Sequence, residues 1–138
     1  MILGIGTDIV KISRFNSWIN FSKEQFLTIF TEQELQDIFI KEKLNISVLA
    51  SRFAAKEAFY KAFSAALVKL DLNKKEFLFL FTCKNIEVIK PEWGVPILKI
   101  NYSAFEDKLG VKLPKLNVDI SISHEKDFAV SFVIISNN

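Results

Sequence analysis

Apolar positions along this chain alternate, shift to a longer period, and return to alternation, and that rhythm divides it into elements. Met1 to Val10 ("MILGIGTDIV") reads as a strand, with Ile2, Gly4, Gly6 and Asp8 on one face and Leu3, Ile5, Thr7 and Ile9 on the other. From Lys11 to about Ile40 the spacing turns helical, with Ile12, Phe15, Trp18 and Ile19 three and four apart. Thr31 and Glu34 in "TEQEL" carry capping-box spacing. "SVLASRFAAKEAFYKAFSAALVKL", Ser47 to Leu70, is rich in alanine and free of Gly and Pro, which predicts one long helix with Ser47 as its N-cap. Strand-like runs follow at "FLFLF" (Phe77–Phe81), "IEVI" (Ile86–Ile89) and "PILKI" (Pro96–Ile100), with turn residues in "EWGVP" between the last two. "SAFEDKLG" predicts a short helix stopped by Gly110. "LNVDISISH" and "FAVSFVII" predict a hairpin joined by Glu125 to Asp127. A strand, then helices, then mostly strands predicts an α+β fold. Its largely antiparallel sheet packs against one long central helix plus shorter helices.

Composition narrows the class. The chain has 138 residues, half of them hydrophobic and 14 of them Phe, enough for a real core and too apolar for disorder. Four glycines and three prolines leave little linker material, so residues 1–138 read as one domain. A net charge of +2 does not call for nucleic acid. One cysteine, Cys83, forbids an internal disulfide and fits a reducing, cytoplasmic setting. The first residues lack the basic start and long apolar run of a signal peptide, and no run has the ~18 apolar residues of a membrane span. A mean hydropathy of +0.23 leaves an apolar excess that subunit contacts would cover.

The residues that could carry chemistry are few. Gly4 and Gly6 share a face that ends in Asp8; two glycines there mark a close approach to the backbone, which tight packing on a helix would explain. On the long helix, Ala54, Ala55, Ala58, Phe59 and Ala62 form an apolar stripe. Glu57 and Lys61 lie four apart on one flank, and Arg52 and Lys56 four apart on another. By itself the helix reads Glu57–Lys61 as a surface pair worth ~0.3–0.5 kcal/mol, and Arg52 and Lys56 as a solvated basic edge. His124, the one histidine, ends a strand before a turn and reads as a surface or hydrogen-bonding residue; Cys83 reads as a buried small hydrophobe. One Cys and one His do not make a zinc site, and neither a Walker loop nor a GxGxxG fingerprint occurs.

Three segments in order, "GIGTDIVKISRF", "RFAAKEAFYK" and "DISISHEKDFAVSFVI", resemble the short class of the 4′-phosphopantetheinyl transferase superfamily, the holo-[acyl-carrier-protein] synthases. The family pattern is a Gly-Ile-Gly-x-Asp strand with a following Arg, a helix with Trp/Phe-x-x-Lys-Glu-x-x-x-Lys, and a late Ser-x-Ser-His strand. The resemblance spans nearly the whole chain, and "FLTIFTEQEL" adds to it.

This resemblance implies transfer of 4′-phosphopantetheine from coenzyme A to a serine of apo-acyl carrier protein, with release of adenosine 3′,5′-bisphosphate, in support of fatty acid and lipid biosynthesis. It implies Mg²⁺ held by Asp8 and Glu57, as a hard cation on phosphate oxygens requires. Lys61 matches a phosphate-contacting lysine, and His124 a histidine at the coenzyme A nucleotide; Arg52 is a further phosphate contact. Asp8, Glu57, Lys61 and His124 are therefore the implied catalytic set. Arg14, Phe15, Trp18 and Phe26 correspond to the surface that docks the acidic carrier protein. A homotrimer with active sites between subunits is also implied. The chain departs from the family twice: "FSKEQFLTIF" retains only Lys23 where basic residues are usual, and "FSAALVKL" replaces a Gly-rich segment that normally runs close to the coenzyme. The second departure motivates an alternative, a non-catalytic oligomer that binds coenzyme A or nucleotide. A Mg²⁺-dependent phosphohydrolase using the same carboxylates is the more distant one.

Overall fold

The computed structural model describes residues 1–91 and 93–138. Strand β1 (Ile2–Lys11) leads into a 3₁₀ helix (Ile12–Asn20), α1 (Lys23–Phe26), α2 (Glu32–Ile38) and a two-residue ribbon of β2 (Phe39–Ile40) with β3 (Lys43–Leu44). The long α3 (Ile46–Lys69) follows, then α4 (Phe79–Asn85), β4 (Ile86–Ile89), β5 (Ile97–Ile100), α5 (Tyr102–Leu109), β6 (Asn117–His124) and β7 (Phe128–Ser136). The main sheet is antiparallel with order β1-β7-β6, and one face lies on α3. A separate β4–β5 hairpin stands beside it. The architecture is the α+β arrangement expected.

Glycine and alanine set the distance between sheet and helix. A Cβ at Gly4 would stand 2.0 Å from the Ala62 carbonyl oxygen, and one at Gly6 1.9 Å from that of Ala58. Only glycine on the strand facing alanine on the helix lets the two backbones approach so closely. α3 is buried almost all round through its first half and anchors two apolar cores. One holds Phe59, Phe63 and Phe105; the other holds Phe15, Phe30, Ile38 and Leu49. The outer sheet face is different: Ile5, Ile9, Val130 and Phe132 are all exposed there. Among the described residues, no helix is long and apolar enough to cross a membrane.

Several local expectations need correction. The helical region from Lys11 to Ile40 is broken into a 3₁₀ helix and two short α-helices. Asn45, not Ser47, caps α3, its side-chain oxygen accepting from the Val48 N–H at 3.1 Å. Leu3 is buried rather than facing outward with Ile5, because a register irregularity between Ile2 and Gly4 turns it inward. "FLFLF" is not a strand; most of it enters α4, whose Phe79 packs on Phe53 while Thr82 and Cys83 are buried. A short apolar run satisfies a buried strand and a buried helix equally, and packing decided here. The Thr31–Glu34 capping box is present in full, as is the β6–β7 hairpin. Of the "EWGVP" turn, Glu92 lies outside the described residues.

Candidate active site

Asp8 comes to α3 because β1 does. Its residues Gly4, Gly6 and Asp8 face the helix, and the glycines remove any side chain that would hold the strand away. The Lys61 ammonium donates to Asp8 Oδ1 at 3.2 Å and to the Thr7 carbonyl at 3.0 Å. Among the described residues Lys61 therefore pairs with Asp8, not with Glu57, and the surface pair expected from helix spacing is not formed. The second carboxylate oxygen, Asp8 Oδ2, is buried and has no hydrogen-bond partner among the described residues. A buried, unpaired carboxylate oxygen is costly unless a cation or donor completes it.

Glu57 sits one turn before Lys61, half-buried. Burial pushes its carboxyl above the usual range and the nearby charge of Asp8 pushes further, while Lys61 and Arg14 pull it back. Two carboxylates are thus close enough to repel, with cations at their edge. Arg14 is exposed on the 3₁₀ helix, its guanidinium 5.2 Å from the Phe53 ring centre. It stands at the border between this site and the expected docking surface.

A second group lies on the opposite flank of α3. Arg52, Lys90, Ser51, Ser123 and His124 line a cavity of about 320 Å³. The Arg52 side chain is only 7% exposed; one terminal nitrogen is 3.6 Å from Asp37 Oδ2, and its Nε is buried with no partner among the described residues. Arg52 is therefore not the solvated edge residue that helix spacing suggested, but a cation set into a pocket wall. At α3's 100° per residue it points about 140° away from Glu57. Asp8, Glu57 and Lys61 do not line this cavity.

A scan of family models matches residues 4–133 to the 4′-phosphopantetheinyl transferase superfamily. The chain belongs to that superfamily. Two curated relatives are holo-[acyl-carrier-protein] synthases. The one from Treponema pallidum is 36% identical over 98% of this chain and 96% of its own length. That from Borreliella burgdorferi is 34% identical over 96% of this chain and 98% of its own. Among solved structures, a holo-(acyl-carrier-protein) synthase from Bacillus anthracis in complex with CoA (3′,5′-ADP) is 29% identical. It matches with a TM-score of 0.65 over 98% of this chain and 96% of that one.

Against the superfamily pattern, the structure groups Asp8, Glu57 and Lys61 as one set and Arg52 with His124 as another, and does not join the two within one chain. Phe15 and Phe26 are buried, so neither offers a partner the open surface expected of a docking residue; the aromatic pattern there is core packing. Trp18 is half-buried, stacked 4.7 Å from Phe21, and Arg14 remains exposed. Sequence reading missed Lys90, which follows β4 and carries no motif. It also misplaced Lys56, which is fully buried. The Lys56 ammonium donates to Glu34 Oε1 at 2.6 Å and to the Ile29 and Cys83 carbonyls, each at 2.8 Å. Glu34 in turn accepts from the Thr31 and Val88 N–H groups, both at 2.8 Å. This network ties α2, α3, α4 and β4 together directly behind Glu57.

Proposed function

We propose that this chain transfers the 4′-phosphopantetheine group of coenzyme A to a serine hydroxyl of an apo-acyl carrier protein. The serine oxygen forms a bond to the phosphorus that bears pantetheine. The bond from that phosphorus to the nucleotide's phosphate oxygen breaks, adenosine 3′,5′-bisphosphate departs, and the hydroxyl proton is released. The reading rests most on one observation: Asp8 Oδ2, buried and unpaired, beside Glu57 and next to Lys61.

That donor set fits Mg²⁺, which takes one or two carboxylates and leaves its other positions to water and phosphate oxygens. Asp8 and Glu57 would hold it, and when bound it offsets negative charge on the reacting phosphates. Lys61 is held at the same spot by Asp8 and the Thr7 carbonyl, so its ammonium would be at hand to offset charge on a phosphate bound there. The Arg52, Lys90 and His124 cavity suits the nucleotide's phosphates, since its buried Arg52 Nε lacks an acceptor among the described residues. Arg14 and Trp18 offer the acidic carrier protein a cation and an aromatic edge beside the reacting centre.

Two features support assembly of the site between subunits of a homotrimer. The site residues fall on opposite flanks of α3, and the outer sheet face exposes Ile5, Ile9, Val130 and Phe132 as a patch that a second copy would cover. The product, a carrier protein armed with a thiol, serves fatty acid and lipid synthesis in the cytoplasm.

The test is the intact mass of a purified apo-acyl carrier protein after incubation with this protein, coenzyme A and Mg²⁺. A gain of one phosphopantetheine, lost in EDTA and in Asp8→Asn, supports the proposal. Binding of coenzyme A without any gain on several carrier proteins overturns it in favour of a non-catalytic binding protein. Release of phosphate products into water without carrier modification identifies a hydrolase.

A further inference from the structure

Three buried side-chain polar atoms lack a hydrogen-bond partner among the described residues: Asp8 Oδ2, Arg52 Nε and Ser131 Oγ. Such atoms are few in folded proteins, and each asks for a partner. Two of these three face each other, because Asp8 and Ser131 are directly paired across β1 and β7. We infer that Ser131 is a positioning residue for the divalent cation, its hydroxyl holding the Asp8 carboxylate in the orientation that receives the ion. The inference rests on the metal role given to Asp8 above.

Placement isolates the pair. Ser131 is 1% exposed and shares a buried row on β7 with Ala129 and Val133, while Val130 and Phe132 point outward. Directly opposed residues of an antiparallel pair project to the same face with Cβ atoms ~4.5–5.5 Å apart. A hydroxyl there reaches a facing carboxylate by rotation about side-chain bonds alone. The other neighbours of Ser131 in the sheet are apolar. Ile122 is its partner on β6, and Ala129 and Val133 flank it on β7, one in each of the two apolar cores. Ser131 thus sits at the seam between the cores, where an alanine methyl would pack without burying a polar atom. It also lies outside the Ser-x-Ser-His pattern of its own segment, "DISISHEKDFAVSFVI".

A buried hydroxyl without a partner is destabilising, a cost that packing does not explain. A donor opposite a metal-binding carboxylate explains it. Lys61 already holds Asp8 Oδ1 at 3.2 Å, which leaves Oδ2 for the ion. A carboxylate oxygen has two lone pairs. With the ion on one, the other accepts the Ser131 O–H, and the carboxylate is pinned at both ends. Hydrogen bonds of this kind orient a metal ligand and are worth ~10–100-fold in metal affinity. Ser131 touches neither ion nor phosphate in this arrangement; it acts through Asp8.

The experiment measures Mn²⁺ binding to the full chain saturated with coenzyme A, reading free Mn²⁺ by electron paramagnetic resonance. Asp8→Asn supplies the background from coenzyme A itself. Ser131→Ala removes the hydroxyl, and Ser131→Cys keeps a side chain of similar shape with only a weak S–H donor. Urea midpoints are taken in EDTA, where no ion contributes. The expected result is a Kd for Mn²⁺ raised about tenfold or more in both variants. The metal-free midpoint of Ser131→Ala should be unchanged or higher, since the hydroxyl it loses has no partner there. Unchanged Mn²⁺ affinity in both variants overturns the inference and leaves the transferase reading intact. So does a loss confined to one variant, which makes side-chain volume the cause, or a loss matched by a fall in the metal-free midpoint, which makes the hydroxyl a support of the fold. If the unaltered chain holds Mn²⁺ no better than Asp8→Asn, the metal role of Asp8 fails and this assignment with it. Carrier modification then decides separately whether the transferase reading stands.

Discussion

Gly6→Ala measures how much of the candidate site depends on the approach of β1 to α3. The added Cβ would stand 1.9 Å from the Ala58 carbonyl oxygen and 2.7 Å from the Ala62 nitrogen, against an ordinary contact of 3.4 Å or more. Both atoms are backbone, so no side chain can rotate away. Strand and helix must separate by about 1.5 Å, or the strand must buckle. Overpacking a core costs ~1–3 kcal/mol, and a clash with rigid backbone belongs at the upper end. About 3 kcal/mol corresponds to a fall of roughly 10 °C in Tm for a domain of this size. Asp8 lies two residues along the same strand, and a displacement of about 1 Å at a reacting centre can reduce turnover by ~100-fold. Urea denaturation gives the stability change, and the carrier-protein mass assay, run well below the melting transition, gives the rate. A variant with an unchanged denaturation midpoint would refute the close approach. One that is destabilised but fully active would refute the idea that this strand positions Asp8.

Further outcomes are expected. Lys56→Met leaves Glu34 buried without its cation, and should cost ~3–5 kcal/mol by denaturation, whereas Glu34→Gln combined with Lys56→Met should cost clearly less than the two single changes added. Lys61→Ala should lower kcat by ~10²–10³ with little change in stability, since its pair with Asp8 is half-exposed; a wild-type rate would remove it from the catalytic set. Burial pushes the Cys83 thiol up to about 12, so a thiol reagent at pH 8 should label the protein only after unfolding. The folded thiol's raised pKa also means its contribution to stability is complete below about pH 9 and declines as pH rises from there toward 12, which urea midpoints across that range would record. Finally, Asp8→Asn and His124→Ala chains, each inactive alone, should regain partial activity when unfolded and refolded together; continued inactivity would count against a site shared between subunits.

What the sequence disclosed was mostly what is local. The capping box at Thr31 and Glu34, the alanine-rich α3 and the β6–β7 hairpin each depend on residues within a few positions of one another. Lys56 was opaque for the opposite reason. Its partner Glu34 is 22 residues away and its other acceptors are carbonyls, which any residue supplies, so nothing in "RFAAKEAFYK" marks it as buried. The Asp8–Lys61 contact spans 53 positions and needed the glycine-to-alanine approach to be known. Phe15 and Trp18 have the same helical spacing, and only packing separates the buried ring from the half-exposed one. Lys90 joins Arg52 and His124 only because the β4–β5 hairpin folds across, a placement no local pattern encodes.

The order of strands in the sheet has a consequence for how the protein is made. β1 pairs along nearly its full length with β7 and, among the described residues, with no other strand, so it has to wait for a strand made long after it. Until Phe128–Ser136 leaves the ribosome, "ILGIGTDIVK" can rest on α3 but has no strand to pair with. Such distant pairing is slow to form and exposes an unpaired edge while it does. Asp8 would then acquire its final place only once β7 has emerged, after α3 already carries Glu57 and Lys61. A nascent chain stalled before β7 would present the helix half of the site, with its strand half still unfixed.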